Sequence, residues 1–173
     1  MSNEVQIVCD IDDKLELING VLMYEDQPFS GSIESYFDSG KIKSKVFLNK
    51  GKKEGLETIW YPNDSVFSER YYKNGLKTGI HQAWWANGNP KFLYHFNEKG
   101  EYHGNVKEWY ETGTLFRDFN YVNRRETGSQ RMWYITGKIK ANYEVVNGER
   151  FGLIGLKKCY QVTVGSDEVN QNM

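Results

Sequence analysis

Short apolar-rich runs recur along the chain, and residues that favour tight turns separate them. Two runs of about eight residues, with their turns, fill a unit of about 24 residues. The dipeptides Asn74-Gly75 and Asn87-Gly88 lie between runs. Asn-Gly favours the type I′ turn of a two-residue hairpin, which needs positive φ at both residues. Because helical periodicity is absent, the pattern predicts one β-hairpin per unit.

Glycine and aromatic residues hold fixed places in this unit. An opening glycine recurs every 24 or 25 residues, an aromatic pair begins five residues after it, and a turn residue follows nine residues after it. We interpret both glycines of a unit, such as Gly104 and Gly113, as turn positions. The opening glycines are Gly31, Gly55, Gly79, Gly104, Gly128 and Gly152, and the aromatic pairs are Tyr36-Phe37, Trp60-Tyr61, Trp84-Trp85, Trp109-Tyr110 and Trp133-Tyr134. Five copies at one period indicate a repeat array.

Charged residues support one pairing register for these hairpins. With Thr112-Gly113 at the tip of the fourth hairpin, opposite charges face each other across the strands, which is mildly stabilising. Applied to all hairpins, the rule predicts the pairs Glu34–Lys45, Asp38–Lys41, Glu57–Arg70, Lys107–Asp118 and Glu108–Arg117.

The same register divides the side chains between two faces, because side chains alternate along a strand. The second aromatic of each pair joins a packed face of apolar residues. The first aromatics form a stripe on the other face, with Lys107 and Arg131 beside it as polar neighbours. We call this the aromatic stripe: Tyr36, Trp60, Trp84, Trp109 and Trp133. The register places opposite it Lys43, Phe67, Lys91, Phe116 and Lys140.

The repeated phrase resembles the MORN repeat (membrane occupation and recognition nexus), and its bacterial variant in particular. The resemblance rests on G-x-x-x-x-W-Y-x-x-G, as in residues 104–113, and on N-G-x-x-x-G, as in "KNGLKTG" at 73–79. "MYEDQPFSG" at 23–31 is similar to the lead-in of that variant. Asp64 and Arg124 depart from the pattern by replacing turn glycines, and the third unit has one extra residue near 94–99.

The resemblance implies an all-β fold, an elongated and twisted single antiparallel sheet of successive hairpins. Many bacterial proteins of this kind are antitoxins of the YwqK type, which neutralise a toxin encoded nearby, whereas eukaryotic relatives of the motif are scaffolds linked to phospholipids. We therefore expect a bacterial, non-enzymatic protein-binding module of the antitoxin or immunity type. The alternative is a structural scaffold associated with anionic lipid.

The repeat defines the expected domain organisation. We expect an N-terminal cap over 1–18, the repeat array over 19–155, a C-terminal cap strand over 156–164 and a disordered polar tail over 165–173. Open strands at the ends of the array allow a monomer or an edge-paired dimer.

Composition narrows the classes of partner and compartment. The 173 residues carry a net charge of -1, which argues against nucleic acid as a partner. We expect a cytoplasmic protein, because the N-terminus lacks a basic region ahead of an apolar stretch and the two cysteines lie far apart at 9 and 159. No His or Cys cluster has metal-ligand spacing, and no glycine motif precedes a helix. We therefore expect no catalytic residue, no metal and no cofactor.

Two surface features have competing interpretations. The aromatic stripe either stacks ring on ring between repeats, or it provides hot-spot residues for a protein partner together with Lys91, Lys107 and Arg131. The lysine cluster at 41–53 is either a solvated face or an anionic-lipid patch. The lipid-binding interpretation would use Lys43, Lys50, Lys52 and Lys53.

Overall fold

The computed structural model describes residues 6–155, and over this range the chain forms only strands, turns and bends. Consecutive hairpins build one large, mostly antiparallel sheet that does not close on itself, which confirms the predicted fold class. The predicted cap strand over 156–164 and the tail over 165–173 lie outside the described residues. No helix in the described range is long and apolar enough to cross a membrane.

The strands follow the repeat. In the N-terminal part they are β1 Ile7–Cys9, β2 Leu15–Ile18, β3 Val21–Tyr24 and β4 Gln27–Pro28. In the array they are β5 Gly31–Tyr36, β6 Ile42–Asn49, β7 Lys52–Trp60, β8 Val66–Lys73, β9 Leu76–Trp84, β10 Pro90–Phe96, β11 Tyr102–Trp109, β12 Leu115–Val122, β13 Arg125–Glu126, β14 Gly128–Trp133, β15 Ile139–Val146 and β16 Glu149–Leu153.

Strand order in the large sheet follows chain order almost throughout. From β5 to β16 each strand pairs with its sequence neighbours, with the short β13 pairing beside β14 on β12. β1 adds to β5 in parallel and forms one edge. The array therefore consists of local antiparallel pairings, as expected when short turns connect consecutive strands.

The turns that link one hairpin to the next are mostly two-residue turns with positive φ at both residues, which is the type I′ geometry. Asn74 and Gly75 have φ of 51° and 80°. Arg124 replaces the glycine with φ of 68° after Asn123 at 48°. An arginine therefore adopts the left-handed conformation that glycine adopts elsewhere.

The turns at the tips of the hairpins differ from the type I′ prediction made for Asn87-Gly88. The Trp85 amide donates to the Asn89 carbonyl, and the Gly88 amide donates to the Trp85 carbonyl. Of these five residues only Gly88 has positive φ, 85°. The same five-residue turn recurs at 37–41, 61–65, 110–114 and 134–138, and Asp64 takes the positive-φ position of its copy with φ of 67°.

The predicted register is one residue off next to each of these tips, and a bulge after the tip restores it. Trp109 pairs with Leu115 rather than with Phe116, and the register then shifts so that Glu108 pairs with Arg117. The predicted partners of the aromatic stripe are these unpaired bulge residues, namely Lys43, Phe67, Lys91, Phe116 and Lys140. The five-residue turn leaves three residues between its closing pair where a two-residue turn leaves two, and the bulge absorbs the extra residue.

The predicted ion pairs test the register away from the tips. Lys107 lies 3.5 Å from Asp118, Arg117 lies 2.6 Å from Glu108, and the pairs Glu34–Lys45 and Glu57–Arg70 also form. The fifth prediction is wrong, because Lys41 binds Asp64 of the next hairpin at 2.6 Å instead of Asp38. The predicted register is therefore confirmed for the part of each hairpin beyond the bulge. The one wrong pair, Asp38–Lys41, lies within a hairpin tip.

The predicted turn positions at the opening glycines are strand residues: Gly55, Gly79, Gly104 and Gly152 lie inside strands, and Gly31 and Gly128 begin β5 and β14. Gly104 has φ of 107°, and residues 103–105 face the single residue His95 between the pairs Phe96–Tyr102 and Tyr94–Val106. Gly55 and Gly79 have φ of 75° and 63° at the matching irregularities. Bulges increase strand twist and favour glycine at a positive-φ position, so these glycines shape the sheet.

The extra residue of the third unit is absorbed without loss of pairing. Its linking turn, at 97–101, takes the five-residue form, with the Asn97 amide donating to the Glu101 carbonyl. The Asn97 side-chain oxygen also accepts the amides of Lys99 and Glu101 at 3.0 Å each. An Asx turn therefore stabilises the longer connection.

The N-terminal segment folds over the first hairpins. β2, β3 and β4 form a separate three-stranded sheet, so residues 15–28 stand outside the large sheet, which continues from Gly31. Phe29 and Val8 are buried against Ile33, Val46 and Leu48 of β5 and β6, with Leu15, Leu22 and Tyr24 packed around them. This core therefore covers the start of the packed face.

Farther along the array, the packed face is covered by its own side chains. Val106, Phe119, Ala141, Tyr143 and Val145 are buried there, without a second layer of secondary structure among the described residues. Rings lie against rings in a chain of contacts through Phe92, Tyr94, Phe96, Tyr102, Tyr121, Phe119 and Tyr143. The high aromatic content is thus the packing material of a thin sheet.

Gly51 fixes the contact between the two sheets, and its replacement tests this contact. It has φ of 74° and its amide donates to the Phe29 carbonyl at 2.6 Å, while an added Cβ would lie 2.3 Å from Val21 Cγ1 and 2.6 Å from the Leu22 oxygen. We expect Gly51→Ala to lower the free energy of unfolding by about 3 kcal/mol or more, since steric overlap adds to the left-handed penalty. Urea denaturation measures the change.

Gly40→Ala is the matched control for Gly51→Ala. Gly40 has φ of 79°, but nothing lies within 4 Å of an added Cβ. Only the backbone penalty of about 1–2 kcal/mol applies there. Equal losses in the two variants would contradict the proposed contact between the sheets.

Candidate functional site

The second aromatic of each pair connects its hairpin to the next one. Tyr61 Oη donates to the Trp84 carbonyl at 3.0 Å, Trp85 Nε1 donates to the Trp109 carbonyl at 3.2 Å, and Tyr110 Oη donates to the Trp133 carbonyl at 3.1 Å. Each bond spans one repeat and ends on the main chain of a first aromatic. The second aromatics therefore hold successive hairpins together.

Bulge residues pack against these second aromatics, which corrects their assignment to the aromatic stripe. Phe116 meets Tyr110 edge to face with ring centroids 5.2 Å apart. Phe67 meets Tyr61 in the same way at 5.3 Å. Lys91 Nζ lies 4.2 Å from the centroid of Trp85, a cation–π contact. Because a bulge turns its extra side chain away from simple alternation, the period-two rule fails at these residues.

These contacts shape a cavity of about 610 Å³ that the sequence did not reveal. Its walls are mainly rings, and the carboxylate of Glu108 accepts hydrogen bonds from Tyr94 and Arg117 at its margin. Burial and the bond to Glu108 raise the pKa of the Tyr94 hydroxyl, which therefore stays protonated. The ring-bearing lining residues are Trp85, Phe92, Tyr94, Trp109, Tyr110 and Phe116.

The aromatic stripe is only partly covered. Trp60, Trp84, Trp109 and Trp133 are half-buried, and Tyr36 is 48% exposed. Among residues 6–155 no ring-to-ring contact involves any of these four tryptophans, so the predicted stacking of ring on ring is wrong for them. Tyr36 Oη donates a hydrogen bond to the Glu34 carboxylate. The hydrogen bond from Lys45 is the larger cause of the lowered pKa of Glu34, and the bond from Tyr36 is the second.

Further exposed apolar side chains lie along the same strands as the tryptophans of the stripe. Leu56 precedes Trp60 by four residues in β7, Ile80 precedes Trp84 by four in β9, and both are exposed. Even spacing places each on the face of its tryptophan. Tyr71 pairs directly with Leu56 and is 44% exposed. Thr58 and Gln82 lie between the stripe and these side chains, and Gln82 donates to Glu69, so a polar row separates two apolar rows on this face.

The polar residues predicted beside the stripe occupy different environments. Lys107 forms an ion pair with Asp118. Arg131 is the strand partner of Asp118 in the β12–β14 pair, and its side chain is exposed. Lys91 contacts Trp85 and also Phe67, at 5.0 Å from that ring, so it does not border Trp84. The structure brings Lys107 and Arg131 together across β11, β12 and β14 and leaves Lys91 apart.

The lysine cluster at 41–53 does not form one free patch. Lys53 binds Glu57 and lies 5.1 Å from the Tyr72 ring centroid, and Lys45 binds Glu34 at 2.7 Å. Lys43, Lys50 and Lys52 are exposed, and Lys50 lies in a linking turn. Of the four lysines of the lipid-binding interpretation, Lys53 is therefore the one matched by a carboxylate within residues 6–155.

The histidines and the described cysteine occupy separate places. His81 is 2% exposed between the rings of Tyr72 and Phe96, and its Nε2 lies 2.7 Å from the Tyr71 carbonyl. His95 bonds the Asn105 carbonyl, and Cys9 is a free thiol. Within 6–155 no three His, Cys, Asp or Glu side chains are grouped to hold a metal ion.

Comparison with known families agrees with the hairpin as the repeating unit. The profile described as MORN repeat variant matches residues 53–74 and residues 102–123. These ranges are the β7–β8 and β11–β12 hairpins, two units apart, each from its first strand to the following linking turn. The resemblance in repeat type is confirmed, and such repeats are characteristic of non-catalytic binding modules. No curated protein sequence matches the chain.

The inter-repeat hydrogen bonds can be tested by removing single hydroxyl groups. Tyr61→Phe and Tyr110→Phe each remove one bond to a carbonyl of the next hairpin and keep the ring. We expect each to lower the free energy of unfolding by about 0.5–1.5 kcal/mol in urea denaturation. Tyr71→Phe is the control, since Tyr71 is 44% exposed in the middle of the array and its hydroxyl makes no hydrogen bond to another side chain or carbonyl among residues 6–155. A control loss as large as the others would contradict the role of these bonds.

Burial of His81 predicts a loss of stability at low pH. Burial lowers the pKa of His81 below its ordinary value, so the unfolded chain binds a proton before the folded chain does. The free energy of unfolding therefore has its full value, as far as His81 is concerned, above about pH 6.5. It decreases as the pH falls towards the lower pKa of His81 in the folded chain, by up to about 1.4 kcal/mol per pH unit.

Urea midpoints between about pH 8 and pH 5 test this expectation. The loss should shrink in His81→Gln and persist in His103→Gln, since His103 is exposed. Identical pH profiles for wild type and His81→Gln would exclude His81 as the source.

Proposed function

We propose that the chain is a non-enzymatic protein-binding module of the antitoxin or immunity type, and that its partner is a toxin encoded nearby. The observation that carries the proposal is the half-exposed aromatic stripe, together with the exposed side chains Leu56, Tyr71 and Ile80 farther along the same face. The matched MORN repeat variant supports a binding module, and the antitoxin class rests on the resemblance of the repeated phrase to proteins of that type.

The composition of the stripe suits a protein interface. Trp and Tyr dominate interface hot spots, because they bury a large area with few rotatable bonds. Half-buried tryptophans keep one ring surface available while the sheet already restricts their side chains. Less conformational entropy is then lost on binding than with freely mobile side chains.

The rim of the proposed interface follows from the charges that remain near the stripe. The Arg131 side chain is exposed and lies on the strand next to Asp118, and Lys107 forms an ion pair with Asp118 from the other side. These groups supply polar contacts around the apolar centre, an arrangement common in interfaces. Lys91, which was predicted to contribute to this rim, is not part of it, because its side chain lies over the rings of Trp85 and Phe67.

To neutralise the toxin, the chain would then need only to block access to the toxin's active site. A toxin surface that includes its active-site mouth would dock on the stripe, so that substrate is excluded while the toxin stays bound. Successive tryptophans lie one repeat apart, roughly 10 Å for two strands. Four of them span roughly 30 Å, which is comparable to one side of a standard-size interface.

The test is binding of the protein encoded beside this chain, measured with purified wild type and with Trp84→Ala/Trp109→Ala. We expect the double variant to bind at least about 100-fold more weakly, since truncation of a hot-spot residue costs about 2 kcal/mol or more. The carbonyls that accept the inter-repeat bonds are main-chain atoms and stay in place. Circular dichroism and the urea midpoint confirm that the variant is folded.

Ile11→Ala/Leu17→Ala is the matched control. Both side chains are exposed apolar groups, at 86% and 70%, outside the array. Their removal should leave the affinity unchanged. Full-strength binding by a folded tryptophan double variant would reject the stripe as the interface. Binding to anionic vesicles that is lost in a Lys43→Gln/Lys50→Gln/Lys52→Gln variant, without binding to the neighbouring gene product, would favour the scaffold alternative.

A further inference from the structure

Cationic side chains converge where the hairpins are linked, at the edge of the packed face opposite the hairpin tips. Two neighbouring cavities, of about 480 and 490 Å³, share Arg124. Lys77 and Lys99 line the first cavity, and Arg125 and Arg150 line the second. We call the two cavities together the basic groove. Its position separates it from the aromatic stripe, which lies beside the tips.

Most of these cations are unmatched by carboxylates in the described part of the chain. Within 6–155, Lys77, Lys99, Arg124 and Arg125 have no carboxylate oxygen within ion-pair distance. Arg150 is paired with Glu126 at 2.8 Å. The groove is therefore locally positive in a chain whose net charge is -1, and a recessed positive site raises the local concentration of anions.

Aromatic rings line the groove and contact two of its cations. The rings of Tyr102 and Tyr121 lie 5.5 Å apart. Lys77 Nζ lies 5.4 Å from the Phe96 centroid, and the Arg150 guanidinium lies 5.3 Å from the Tyr143 centroid. Such contacts restrict the cationic side chains before any ligand arrives, so less entropy is lost on binding.

We propose that the basic groove binds an extended acidic segment of a protein partner. Lys77 and Arg150 hold the same place in units three repeats apart, each two residues before an opening glycine. Two strands per repeat place them roughly 30 Å apart. A peptide in the polyproline II conformation has three residues per turn and rises about 3.1 Å per residue, so a segment of about ten residues reaches from one to the other with a carboxylate at every third residue on the same side, in step with the repeats.

The carboxylates in the groove favour a polypeptide over a membrane surface. Glu101 lines the first cavity and Glu126 the second. A uniformly anionic lipid surface would be repelled by both groups. A peptide can instead place its own amides against them, because backbone N–H groups are good donors to carboxylates.

Synthetic peptides test the predicted spacing. The probe is a peptide of about 12 residues with the repeated sequence Glu-Ser-Gly, compared with one of the same composition whose glutamates are adjacent. Fluorescence anisotropy at low salt should show roughly threefold or more tighter binding of the spaced peptide. Lys99→Gln/Arg125→Gln should weaken that binding by roughly three- to tenfold, and added salt should weaken it further.

The control variant removes two lysines from the opposite edge. Lys41→Gln/Lys138→Gln changes the net charge equally but alters only hairpin tips, so the affinity for the spaced peptide should be kept. Equal affinities for the two peptides, or equal losses in the two variants, would overturn the proposal. Binding of phosphatidylserine vesicles with no binding of either peptide would also overturn it and assign the groove to a membrane surface.

Discussion

A sheet that is one layer thick has to cover its apolar side chains with other side chains of the same sheet. Outside the N-terminal core, no second layer of the described chain packs on the array. Large rings meet this constraint because each can lie along the face and reach the next repeat. The Tyr110 hydroxyl reaches the Trp133 carbonyl in this way. The aromatic content, the inter-repeat bonds and the bulges that position Phe116 and Lys91 all follow from this constraint.

The two aromatics of each pair therefore have different roles. The second ring is a packing element, fixed by a hydrogen bond to the next hairpin and by the bulge residue beside it. The first ring contributes its carbonyl to that bond, while its side chain stays half-exposed. The main chain of a residue such as Trp109 thus serves the fold, and its indole remains available for a partner. This division makes the stripe a better candidate interface than the rings that build the sheet.

Charge is distributed as unevenly as the rings. Carboxylates and lysines in the body of the sheet mostly face each other, as in Lys107–Asp118 and Arg117–Glu108. Lys99, Arg124 and Arg125 lie instead at or beside linking turns, and they form no ion pair within residues 6–155. The aromatic stripe and the basic groove would therefore present different chemistry at opposite edges of one sheet. A single partner could engage both only by wrapping from one face to the other.

The repeat period, the hairpins, the antiparallel sheet and four ion pairs could be predicted from the chain alone, because turns, alternation and cross-strand pairing depend on residues close in sequence. The tip geometry could not, since Asn87-Gly88 suits several turn types and the five-residue turn at 85–89 is accompanied by a bulge at Lys91, two residues after its end. The equivalent bulge at Phe116 decided that Phe116 packs with Tyr110 rather than with Trp109. The basic groove likewise depends on residues from three different units. Local sequence therefore determined the hairpins, and packing between hairpins decided which side chains share a surface.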